Sequence, residues 1–85
     1  MSGSGRVTLT LAFHDFSDKA FFVSETGIAE RGVWLPRSQC RFDDLNRDKV
    51  EAWEAANEAL PRRVRDEAVI TVRVSEFIAK DRGLI

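Results

Sequence analysis

The sequence predicts a small α+β domain: an antiparallel sheet, or a partly open barrel, covered by one or two helices. Three observations predict it. Arg6 to Phe13 alternates with period two, placing Val7, Leu9, Leu11 and Phe13 on one face and Thr8, Thr10 and Ala12 on the other, as in a half-buried strand. Between Asp48 and Leu60 the pattern changes to helical spacing. At Ala68 to Val74 it returns to a β-branched run, before a short capped ending. The order is strand, strand, strand, helix, strand, helix. With 85 residues the chain has room for one core. The expected organisation is a flexible lead-in at residues 1–5 and a single domain at residues 6–85.

The elements follow in order. After the first strand, Asp15, Ser17 and Asp18 supply turn chemistry. Lys19 to Ser24, with Phe21 and Val23 opposite Ala20 and Phe22, reads as a second strand closing an antiparallel hairpin. Glu25 to Gly32 reads as a loop. Val33-Trp34-Leu35 is a third short strand, and Pro36 makes it an edge strand or the site of a bulge, since proline donates nothing to a ladder. A strand re-aimed at Pro36 would present Arg37, Gln39 and Arg41 together. Asp48, with Glu51 three residues on, resembles a capping box. Val50, Trp53 and Leu60 form an apolar stripe interrupted by Asn57, and Pro61 ends the helix. Ser75 caps the last helix, and Gly83 stands where a left-handed C-cap is wanted, with Leu84 folding back.

Composition excludes several classes. Thirteen Lys and Arg against fourteen Asp and Glu give a formal charge of −1, so there is no strongly basic coat for nucleic acid. Cys40 is the only cysteine, which excludes an internal disulfide and a multi-cysteine zinc site and fits a reducing cytoplasm. The longest apolar run, Ala20 to Val23, is far short of the roughly 20 residues needed to span a bilayer.

No catalytic constellation is expected. His14-Asp15 is the sole base–carboxylate neighbour pair, and adjacent strand residues point to opposite faces. Asp43, Asp44 and Asp48 lack a calcium-loop pattern and suit helix capping. Gly27 and Gly32 make no phosphate-cradling motif. The reading implies no metal and no cofactor.

Two surfaces remain as binding candidates. Glu51, Glu54 and Glu58 form an acidic stripe suited to a basic protein surface. Like charges at i and i+4 cost a helix about 0.2–0.5 kcal/mol, so Glu54 and Glu58 do not serve helix stability. Arg37, Gln39 and Arg41 are the other partner-facing group. The alternative is a nucleic-acid groove of Trp34, Arg37, Arg41, Arg62, Arg63 and Arg65, which would stack bases and track phosphates.

Trp34-Leu35-Pro36-Arg37-Ser38-Gln39 resembles a short motif of small uncharacterised bacteriophage and prophage proteins. The ending, with Phe77-Ile78-Ala79 before Gly83-Leu84-Ile85, is similar to theirs. The chain departs from that pattern between Arg41 and Arg65, where it carries the acidic helix. The resemblance implies a compact non-enzymatic phage-type module docking on a protein or nucleoprotein complex. The favoured expectation is an anti-CRISPR-like inhibitor of a host defence complex, working through the acidic stripe. The alternative is a single-stranded nucleic-acid-binding accessory of phage recombination or replication.

Overall fold

The computed structural model describes residues 5–25 and 29–85. Four strands, β1 (Arg6–Phe16), β2 (Ala20–Ser24), β3 (Val33–Pro36) and β4 (Ala68–Ser75), form one antiparallel sheet in the order β3-β2-β1-β4. Helices α1 (Asp44–Asn57) and α2 (Glu76–Asp81) complete the fold. The sheet is open, not a closed barrel. One isolated bridge, Arg41 to Arg73, attaches the chain after β3 to the outer edge of β4. Of the expected lead-in, residues 1–4 lie outside the described residues. Gly5 is tied down, its carbonyl accepting from Glu76 N at 3.0 Å.

The alternation of β1 sends Leu11 and Phe13 into the core beside Ile70 and Val72 of β4 and Val23 of β2. Both helices cover this one face, since Val50 and Trp53 of α1 and Ala79 of α2 belong to the same buried cluster. Rings pack edge to face within it: Trp53 lies 5.9 Å from Phe13 and 5.1 Å from Phe16. Trp53 is 6% exposed, and its Nε1 donates to the Asp66 carbonyl, so its one polar atom is satisfied.

A register shift between Phe13 and Asp15 breaks the alternation of β1. Phe13 and Phe16, three apart, both reach the core, an arrangement a regular strand forbids. The bulge therefore lies in β1, not at Pro36. The chain after Pro36 makes a 3₁₀ turn at Arg37–Gln39, so those side chains do not line a strand face.

Helix α1 starts earlier than its apolar period. Its N-cap is Asp43, not Asp48, and the Asp43 carboxylate accepts from Asn46 N and Nδ2 at 2.8 and 2.9 Å. Those bonds hold the Asp43 carboxyl below the usual carboxylate range. Asn57 is buried because it latches the helix end: Nδ2 donates to the Trp53 carbonyl and Oδ1 accepts from Asp66 N. Leu60 lies beyond the helix and is exposed. Ser75 caps α2 as expected, its hydroxyl accepting from Ile78 N. Gly83 has φ +74°, and Leu84 N and Gly83 N reach back to the Ala79 and Lys80 carbonyls, closing the Schellman geometry that glycine permits.

Candidate functional site

Neither helix packs on the other face of the sheet, which is open towards its two edges and closed at its centre, where Ala12 and Ser24 are buried. Cross-strand register places Thr8 beside Arg73, Thr10 beside Thr71, Ala12 beside Val69 and Phe22 beside Trp34 on that outer face. Val69 is 62% exposed and Trp34 40% exposed. The two threonine hydroxyls meet at 3.0 Å.

At one end of the face Phe22 and Trp34 pack with centroids 5.2 Å apart, and the Arg62 guanidinium lies 5.9 Å from the Trp34 ring. Such a cation adds about 0.5–1 kcal/mol at an exposed site. Arg62 also meets Asp15 Oδ2 at 3.1 Å. The alternation of β1 places His14 on this same side, where it meets Ser24 and the Phe22 ring.

His14 thus has partners, though not Asp15. Its Nε2 lies 2.7 Å from Ser24 Oγ and its Nδ1 3.3 Å from Glu67 Oε2. A proton on Nδ1 faces the acceptor-only carboxylate and leaves Nε2 to accept from the hydroxyl. This is the order of a nucleophile, a base and an orienting carboxylate. Ser24 is 1% exposed, however, so no substrate carbonyl reaches its oxygen, and the chain acts as a strut between β1 and β2. Sequence reading missed it because Ser24 is joined to His14 only by cross-strand pairing.

The arginines divide into two classes. Arg65 is structural: its Nη1 meets Asp15 Oδ1 at 2.6 Å, its Nε donates to the Asn57 and Leu60 carbonyls, and it stacks 4.3 Å from the Phe16 ring. Arg37 is structural too, stacking on Phe21, donating to the Ser17 carbonyl and sitting 2.9 Å from Glu54 Oε1. Its N–H is not aimed at that buried oxygen, so the contact is an ion pair without an aligned hydrogen bond. Arg37, Gln39 and Arg41 do not share a face: Arg41 folds back on the Ser38 and Cys40 carbonyls. Arg62, Arg63, Arg41 and Arg73 are exposed, and of these only Arg62 forms an ion pair among the described residues.

The acidic stripe is divided likewise. Glu51 and Glu58 are exposed, whereas Glu54 is partly buried and engaged by Arg37. Glu51, Glu54, Arg37 and Cys40 line a cleft of about 270 Å³. Burial pushes the Cys40 thiol up to about 11, against the pull of Arg37 and Arg41, so it stays protonated at neutral pH and is a poor nucleophile. Among the described residues no three His, Cys, Asp or Glu side chains group as metal ligands. No helix is long and apolar enough to cross a membrane. Compared with protein-family models, curated proteins and solved structures, the chain matches none.

Proposed function

We propose that the protein is a non-enzymatic module that docks on a macromolecular partner through the outer face of its sheet. The observation that carries this reading is the sheet face on which neither helix packs, which exposes Trp34, beside Phe22 and Arg62, at one edge and Val69 at the other. Trp and Arg are the side chains most enriched at binding hot spots. The acidic stripe supports docking less well, because its central member is tied to Arg37. Closure of Ser24 to solvent and the protonated Cys40 thiol support the non-enzymatic part. The finer role of inhibiting a host defence complex rests on the sequence resemblance alone.

The test is capture of partners from bacterial lysate by three proteins: the wild type, Trp34→Ala with Val69→Glu, and Glu51→Lys with Glu58→Lys. All four positions are at least 40% exposed or on the open helix face, so the fold should survive. The sheet variant should lose the captured partner and the helix variant should keep it. The reverse outcome refutes the sheet-face reading and returns the site to the acidic stripe.

A further inference from the structure

Arg41 and Arg73 are directly opposed across the edge of β4, each backbone N–H donating to the other's carbonyl at 2.8 Å. Opposed residues of such a pair share a face, about 5.5 Å apart at Cα. Like charges placed there destabilise a sheet, and neither arginine forms an ion pair among the described residues. The pair lines a notch of about 260 Å³ with Thr8, Thr71, Asn46 and Asp43. Asp43 is the one carboxylate present, and its Oδ1 is spent on Asn46 N and Nδ2. Arg73 helps hold its carboxyl low, so the ionised notch carries two positive charges against one negative. Arg41 Nη1 donates to the Ser38 and Cys40 carbonyls, but no carboxylate forms an ion pair with either arginine among the described residues, and a local rule broken in this way is the expected mark of a functional surface.

The rest of the outer face continues the pattern. Arg6 extends the cationic end, and the threonine hydroxyls lie between it and the aromatic end. From Arg73 to Trp34 is six residues along the strands and three strands across. At about 3.3 Å and 4.8 Å per step that is on the order of 25 Å. The exposed carboxylates of α1, at Asp44, Asp48 and Glu51, belong to the layer on the opposite side of the sheet. On the outer side itself stand Glu67, beside His14, and Asp15, beside Arg62, against Arg6, Arg41, Arg73 and Arg62, so a net charge of −1 conceals a face with a local excess of positive charge.

We propose that this face binds single-stranded nucleic acid, a backbone phosphate seated between Arg41 and Arg73 and a base stacked at Trp34 and Phe22. The proposal rests on the docking reading above and names the partner for it. Stacking on an exposed ring requires unpaired bases, which selects a single strand over a duplex. Two of the arginines expected from sequence, Arg37 and Arg65, are not part of this surface, while Arg73, Thr8 and Thr71 are.

The experiment is fluorescence anisotropy with a labelled oligothymidylate of about 20 nucleotides, longer than the roughly 4–16 covered by one compact module, titrated across a salt series. Each phosphate contact adds about −0.7 to the slope of log K against log salt for a single strand. Arg41→Ala with Arg73→Ala should flatten the slope by about 0.7, the share of the one seated phosphate, while the melting temperature moves little, relief of the repulsion offsetting the lost Arg41 bonds to the Ser38 and Cys40 carbonyls. Trp34→Ala should weaken binding about 5- to 150-fold at unchanged slope. Binding with an unchanged slope in the double arginine variant overturns the phosphate seat. Equal affinity for duplex overturns the single-strand assignment. No oligonucleotide binding at low salt, combined with a nuclease-resistant partner lost on Trp34→Ala with Val69→Glu, overturns the nucleic-acid proposal and leaves docking intact. Loss of docking dependence on those two residues sinks both.

Discussion

Arg65 offers the sharpest separation of a structural arginine from a binding one. Its side chain and that of Asp15 are 12% and 13% exposed, and they meet at 2.6 Å. Truncating Arg65 to Ala removes that pair, three carbonyl hydrogen bonds and the stack on Phe16. Breaking one side of a buried pair costs about 3–5 kcal/mol. Asp15 keeps Arg62 at 3.1 Å, however, and Arg62 is largely exposed, so the loss should be nearer 2–4 kcal/mol on that scale. Against the roughly 4–13 kcal/mol total stability of a chain this long, that is a large fraction. Urea unfolding followed by tryptophan fluorescence reads it as a lowered midpoint at constant slope. Asp15→Asn should cost less, and Asp15→Leu with Arg65→Met should recover part of the loss, because matched apolar replacement spares both desolvation costs. An unchanged midpoint in Arg65→Ala would refute the structural assignment and return Arg65 to the binding surface.

Trp53→Ala should destabilise by about 3–5 kcal/mol, read as a fall in melting temperature of roughly 12–40 °C, because it empties the space between Phe13 and Phe16. Cys40 should react slowly with a thiol reagent in the native state at pH 7 and quickly in urea. Its folded-state pKa is raised, so the native state holds the proton longer than the unfolded one; stability should fall as pH rises from about 9 towards about 11, and Cys40→Ala should lose that fall in an alkaline unfolding series. Gly83→Ala should cost about 1–2 kcal/mol from the positive φ alone, since nothing lies within 4 Å of the added methyl; an unchanged melting temperature would show that the C-cap relaxes.

Much of the fold was legible because it rests on local rules. The alternation of β1, the proline-ended edge strand β3 and the Ser75 and Gly83 caps of α2 each follow from residues within a turn or two. What was hidden depends on distant partners. Helix α1 begins with Leu45 exposed and Asn46 buried, an inversion of hydropathy that moved its apparent start to Asp48. Asn46 is inside because its Oδ1 accepts from Thr71 N of β4 and its Nδ2 reaches Asp43. The β1 bulge had one signal in the sequence, two phenylalanines three residues apart in a strand with period two. The candidate site was half legible: Trp34, Arg41 and Arg62 carry suitable chemistry, but Arg73 read as the polar member of an alternating strand. Only the bridge to Arg41 gives it a like-charged neighbour.

The pairing of Arg6 with Ser75, and of β1 with β4 along eight residues, also fixes when the molecule is able to fold. Of the four strands β1 is made before its two neighbours and β4 after all the others, so the β1–β2 hairpin forms with one flank of β1 unpaired and its apolar row uncovered. Bringing β1 and β4 together costs loop-closure entropy before any contact repays it. The native sheet therefore waits until β4 has been made. During synthesis the exposed edge of β1 is the part of the chain most prone to pair with a neighbouring nascent copy.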